Sequence, residues 1–386
     1  MDKARLALDT FEEIANHLSA DNDYAALSSL SLTSSALVEP CRKHIFQAIV
    51  LHDDGTPSAY EMFNQVLAQS PRVGTYVQRI RLLFHNFKES DSVHFHSILD
   101  HVTKPIVLRI APFASQNGVI GPWSNLPIGF REGVNRILRY PTLSYLWFDR
   151  MRLIPVSILA RANSVRDLRL TTSTLRPAGP STPLPVPSAR PPLLSFVIEN
   201  SIAFSNSCGP TDNGDVTYTC VARAFPFDLT RLIDLEVDVN YNVANQVQGL
   251  IDRCKNTLET LCFHINGAGV VSLNDLPKLQ LVQVVVTPPS FLVPPGTRGT
   301  HSTFFDIMKT LDTKCPLQHG IIIEAKFPAI YFQRIPADIW TRLDNLLVAL
   351  GRKVSINTSA ADENWMTLLP KSDKRGILAV VNVTIV

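Results

Sequence analysis

Leu279-Gln-Leu-Val-Gln-Val284 carries apolar residues at its first, fourth and sixth positions. The spacing returns as Val77-Gln-Arg-Ile-Arg-Leu82, Leu143-Ser-Tyr-Leu-Trp-Phe148, Val165-Arg-Asp-Leu-Arg-Leu170 and Leu193-Leu-Ser-Phe-Val-Ile198. Further copies are Leu232-Ile-Asp-Leu-Glu-Val237, Leu258-Glu-Thr-Leu-Cys-Phe263 and Leu378-Ala-Val-Val-Asn-Val383, with imperfect ones near Pro105, Leu317 and Gly351. Three apolar positions coincide by chance in about 9% of windows at this composition, so the hexad alone decides nothing. Two features add weight. Polar residues alternate inside it, as a half-buried strand requires, and a Pro or a helix-spaced run often precedes it, as at Pro141, Pro192, Pro277 and Pro316, or Val243 to Leu250 and Phe304 to Leu311.

Starts at 143, 165, 193, 232, 258, 279 and 317 are separated by 22, 28, 39, 26, 21 and 38 residues. Four of these six gaps fall in the span of about 20–29 residues that one strand-and-helix repeat occupies in leucine-rich arrays. A unit of this kind buries its apolar side only against its neighbours. The spacing therefore predicts an α/β solenoid over 53–386, a curved leucine-rich-repeat-like array with a parallel sheet on its concave face. The regular Asn of such repeats is missing. Residues 176–192 hold a Pro-rich run that cannot donate to a ladder and reads as a projecting loop, and Thr287 to Gly296 reads likewise.

The first 52 residues differ. Four basic residues stand against seven acidic ones, a net of −3, leaving +5 for the rest of a chain whose total is +2. Phe11, Ile14, Ala15 and Leu18 fall at i, i+3, i+4 and i+7, the stripe of an amphipathic helix, with Asp9 or Thr10 placed to cap it. Tyr24, Leu27 and Leu30 continue the spacing, and Leu37, Cys41, Ile45 and Ala48 form a third run that Pro40 opens or kinks. The expectation is a three-helix head over 1–52, too small to be secure alone, with apolar surface left for something else.

Leu8-Asp-Thr-Phe-Glu-Glu-Ile14, Leu18, Tyr24 to Leu32 and Pro40-Cys-Arg-Lys-His-Ile-Phe46 resemble an F-box, most closely the divergent heads of expanded fungal families. The resemblance covers about 45 residues and departs at Asp9, where the family usually has Pro. It implies a head that docks the Skp-type linker of a cullin-RING ubiquitin ligase through Leu8, Phe11, Ile14, Leu18, Leu27 and Leu30. The array would then hold a protein target, with no side chain of the chain doing chemistry. The alternative reading is a protein-binding scaffold whose helical head merely closes the end of the array.

Chemistry is sparse in the sequence. None of the six cysteines sits in a Cys-x-x-Cys pair or at zinc-finger spacing, so the expectation is buried small hydrophobes in a reducing compartment and no metal or cofactor. His94-Phe-His96-Ser-Ile-Leu-Asp100-His101 resembles a metallo-β-lactamase metal box with two extra residues, but helical spacing of Phe95, Ile98, Leu99 and Val102 scatters its ligands. A metal-dependent hydrolase built on His94, His96 and Asp100 is the remaining enzymatic alternative. Asn266-Gly-Ala-Gly269 lacks the third Gly and the acid of a dinucleotide turn, and no Gly-x-Ser-x-Gly, His-Glu-x-x-His or P-loop occurs. Eight arginines between 131 and 169 read as solvated repeat edges or a phosphate or acidic-peptide grip. The near-neutral charge disfavours nucleic acid and anionic membrane as partners. No uncharged run approaches a membrane span, and acids occupy the place of a secretion signal's apolar stretch, so the expected compartment is intracellular, cytoplasmic or nuclear.

Overall fold

The computed structural model describes residues 8–21, 23–85, 87–112, 122–176, 190–199, 225–239, 243–265, 269, 271–286, 307–310, 317–325, 337–358 and 369–382. The chain divides into two compact units, Met1–Val165 and Arg166–Val386. Residues 1–7, 22, 177–189, 266–268, 287–296, 304–306 and 311 of the segments singled out above lie outside the described residues, as do Cys208, Cys220, Cys315, Pro316 and Val383.

Three helices open the first unit: α1 (Leu8–Ala20), α2 (Tyr24–Ser31) and α3 (Ser35–Ile45). Asp23 Oδ1 accepts from Ala26 N at 2.9 Å and Ser34 Oγ from Ala36 N at 3.3 Å, capping α2 and α3. α1 is already formed at Leu8, so Asp9 and Thr10 lie within the helix instead of ahead of it. Pro40 sits inside α3, where it withdraws one intrahelical hydrogen bond.

The third apolar run stops short of its expected extent. α3 ends at Ile45, and Ala48–His52 is a strand, β1, paired in parallel register with β2 (Arg79–Phe84). The β-branched pair Ile49 and Val50 favours the pleat, and the burial of Ile49 and Leu51 against exposed Ala48 and Val50 has period 2. The unit continues through α4 (Ala59–Gln69), α5 (Glu89–His101), β3 (Val107–Pro112), α6 (Ile128–Ile137), β4 (Tyr145–Asp149), β5 (Ile154–Pro155) and α7 (Val156–Leu159). β1, β2, β3 and β4 pair parallel in chain order.

The second unit contains β6 (Asp167–Thr171), the two-residue β7 (Leu175–Arg176), β8 (Ser195–Glu199), β9 (Asp234–Val239) and β10 (Thr260–Ile265). β11 (Leu281–Val286), β12 (Gly320–Ala325), β13 (Val354–Thr358) and β14 (Leu378–Asn382) follow. Apart from β7 these eight strands also pair parallel in chain order. Helices Ala244–Cys254, Ala337–Leu350 and Pro370–Lys374 stand between strands. Both units are therefore α/β, with twelve ladder strands between them.

The hexads found these strands two residues early. Val77, Leu143, Val165, Leu193, Leu232, Leu258 and Leu279 all precede their strand, and each is at most 1% exposed. The first apolar position is thus a plug under the chain as it enters the sheet. The fourth and sixth positions, such as Ile80 and Leu82, Phe196 and Ile198, or Leu261 and Phe263, point to the buried side.

Candidate functional site

The head keeps part of its apolar surface uncovered. Ala15, Leu27, Leu37 and Cys41 form its buried core, with Phe11, Leu18, Leu30 and Ile45 packed around them and only partly buried. Ile14 is 39% exposed, Tyr24 44% and Leu32 87%. Leu27 therefore serves the bundle's own core, while Ile14, Phe11, Leu18 and Leu30 remain reachable; Leu8 opens α1. The same bundle is tied to its neighbours within the unit. Arg72 Nη2 meets Glu39 Oε1 at 3.0 Å, Tyr76 Oη donates to Glu39, and Gln47 Nε2 donates to Gln78 Oε1 at 2.9 Å.

Because side chains alternate along a strand, each ladder has a second face. In the first unit it presents Arg79, Arg81, Arg109, Tyr145, Trp147 and Asp149 at matching register. Arg109 Nη2 meets Asp149 Oδ2 at 2.9 Å, and its guanidinium lies 3.5 Å from the Trp147 ring centroid, a combination of ion pair and cation–π contact. Burial, together with the charges of Arg109 and Arg150, lowers the Arg81 pKa against the pull of Asp149.

In the second unit the corresponding face is acidic. Arg169 Nη2 reaches Glu199 Oε2 at 3.3 Å, and Gln283 Nε2 donates to Glu324 Oε2 at 2.8 Å. A shallow depression of about 370 Å³ is lined by Ser195, Asp234, Glu236, Cys262, His264 and Glu324, among others. Parallel register sets Glu236 beside Cys262, with His264 two residues along β10 on the same face. His264 Nε2 donates to Glu236 Oε1 at 2.8 Å and lies 3.9 Å from Cys262 Sγ. Burial pushes the His264 pKa down, but the hydrogen bond to Glu236 and the charges of Asp238, Glu236 and Glu199 outweigh it, and the pKa is raised.

On the same face Asp167 stands next to Ser195, which stands next to Asp234. Burial first, and the charge of Asp234 second, raise the Asp167 pKa. A carboxyl raised in the folded state costs stability wherever it is ionised, and the cost vanishes below its unfolded pKa. Asp167→Asn is expected to raise the melting temperature at pH 7 by an amount worth less than about 1 kcal/mol after solvent screening. The gain should fade as pH falls through the carboxylate range, which thermal melts from pH 7 to pH 3 would read.

The other sequence candidates do not converge. α5 carries His94, His96 and Asp100, but His94 Nδ1 lies 3.2 Å from Asn64 Nδ2 while Asp100 Oδ1 takes Arg136 Nη1 at 2.8 Å. Within the arginine cluster, Arg150 meets Asp149 at 3.5 Å, Arg166 donates to Pro192 O at 3.3 Å and Arg169 serves Glu199. Cys41 and Cys254 are buried, and burial pushes the Cys254 thiol up to about 12, as expected of structural cysteines. Cys262 differs because it shares its face with His264 and Glu236. A Cys-x-His step on a strand was the available sequence signal; its third member lies 26 residues earlier and is reached only through strand register.

The chain matches no protein-family model and no curated protein. No described helix is long and apolar enough to cross a membrane.

Proposed function

We propose that the chain is a non-catalytic substrate receptor of a cullin-RING ubiquitin ligase, with the three-helix head docking a Skp-type linker and a leucine-rich-repeat-like array holding a protein target. The observation that carries this reading is Ile14, 39% exposed on a bundle whose Ala15, Leu27, Leu37 and Cys41 are already enclosed. A self-sufficient cap would turn such a residue inward, since apolar area left in water forgoes about 25 cal/mol per Å². The polar second face of each parallel ladder supports the rest: it supplies charged and aromatic groups to grip a macromolecule, and a target held there would be ubiquitinated by proximity to a partner enzyme.

The test is calorimetric titration of the full chain with a recombinant Skp-type linker. Binding at micromolar Kd or tighter is expected, and Ile14→Asp should weaken it at least tenfold with the melting temperature unchanged, because the side chain is outside the core. Absence of a complex at micromolar concentration rejects the receptor reading.

A second reading, a scaffold whose head is only an end cap, is favoured by the ties of Glu39 to Arg72 and Tyr76 and by α3 running directly into β1. It is separated by truncation. An end cap predicts that removing residues 1–46 collapses the rest of the chain to a non-cooperative melt, whereas a docking head predicts a cooperative one.

A further inference from the structure

We infer that Glu236, Cys262 and His264 form a zinc-class metal site on the open face of the second unit's sheet, with a fourth coordination position facing the depression that Ser195, Asp234 and Glu324 line. The donor atoms of the three lie within 4.8 Å of one another. A tetrahedral zinc with bonds of about 2.0–2.3 Å needs donors about 3.3–3.6 Å apart. The observed His264 to Glu236 separation of 2.8 Å would open by about half an ångström and the 3.9 Å from His264 to Cys262 would close by less. Both changes are within the reach of side-chain torsions.

The supports are rigid. Cys262 and His264 sit on one central strand, and Glu236 on the strand beside it, so the backbone ladder fixes the separation of all three Cα atoms. Cys262 is 9% and His264 8% exposed, while Glu236 is half-buried. The donor set of thiolate, imidazole and carboxylate suits zinc; magnesium and calcium take oxygen ligands alone. The charges balance, because thiolate and Glu236 carboxylate together neutralise a dication, and Asp238 and Glu199 add a negative field toward the same point. On binding, the thiol proton leaves to solvent, and the Nε2 proton that His264 donates to Glu236 leaves to solvent or moves by tautomerisation to Nδ1, so that the imidazole presents its Nε2 lone pair. Three protein ligands leave one position for water or for a donor atom of a bound partner.

This inference goes beyond the receptor reading and does not rest on it: a failed metal titration leaves linker binding untouched, and the reverse. The test uses the untagged full chain, stripped with chelator under reducing conditions and titrated with zinc against a chromophoric competitor, then with cobalt. One zinc per chain at submicromolar Kd is expected, with a thiolate-to-cobalt charge-transfer band in the cobalt form. Cys262→Ser should abolish that band and weaken zinc at least 100-fold. Glu236→Gln, a near-isosteric change at a half-buried position, should weaken zinc about tenfold. Absence of stoichiometric binding overturns the site. So does binding that Glu236→Gln and Cys262→Ser both leave unchanged, and should Cys262→Ser fail to fold, unchanged binding in Glu236→Gln overturns it alone.

Discussion

Phe95→Ala is expected to destabilise the first unit by about 3–5 kcal/mol, the range for emptying a large aromatic site in a core. Phe95 is fully buried and packs against the Tyr60, Phe87 and Phe130 rings, with centroids 5.6, 6.4 and 5.9 Å away, besides the imidazole of its neighbour His96 at 6.3 Å. Edge-to-face and stacked pairs of this kind add about 0.5–1.5 kcal/mol beyond the area they bury. The ring also explains a residue on the facing helix. A Cβ added at Gly133 of α6 would lie 2.3 Å from Phe95 Cε1, a distance no side chain tolerates. Gly133→Ala alone should therefore destabilise, although Ala outranks Gly in a helix by about 1 kcal/mol. Once Phe95→Ala has emptied the space, the clash is gone, and Gly133→Ala should become neutral or stabilising. Urea titration of the four proteins of this cycle reads the coupling; additive effects would mean that the two helices do not meet through this ring.

The second large effect is expected at Asp344→Ala. The carboxylate is 2% exposed on the helix Ala337–Leu350 and accepts from Lys371 N at 2.9 Å, Ser372 N at 2.8 Å and Ser372 Oγ at 2.7 Å. Lys371 and Ser372 belong to the first turn of the helix Pro370–Lys374, whose preceding residue, Leu369, offers no side-chain cap. Asp344 is thus an N-cap supplied by a neighbouring helix, and it satisfies donors that a helix start always leaves open. Its removal leaves the buried Ser372 N–H and the part-buried Lys371 N–H without this partner, at about 1–3 kcal/mol for a fully buried group and less for a part-buried one. A loss of about 2–5 kcal/mol is expected, and Asp344→Asn, which keeps one acceptor oxygen, should recover part of it. Amide exchange at Lys371 and Ser372 should accelerate more than exchange in β6 or β8, a readout that separates loss of the cap from general softening.

Much of the ladder was legible because a strand with one buried side writes period 2 into the chain. The hexads marked β2, β4, β6, β8, β9, β10, β11 and β14, and the helical spacing of Val243 to Leu250 marked the helix Ala244–Cys254. The two-residue offset has a physical cause: apolarity reports burial, and the leading Leu or Val is as buried as the strand although it makes no ladder pair. β1 was missed for the same reason, since Ile45, Ala48 and Ile49 are apolar at helical and strand spacing alike, and pairing with Arg79–Phe84 settled the matter. Gly133 and Asp344 were silent in the sequence because their roles are defined by a ring and a helix start on other elements.

The candidate sites divide the same way. Sequence periodicity determined that the chain alternates helices with half-buried strands, and that its opening residues form an amphipathic bundle. Burial against the chain's own core decided which of the bundle's apolar residues remain available, taking Leu27 inward and leaving Ile14 out. Register between strands 26 residues apart in sequence decided that Glu236 stands beside Cys262 and His264. Periodicity is a local property that each strand imposes on its own residues, whereas a constellation of side chains depends on hydrogen bonds between strands, which no single segment encodes.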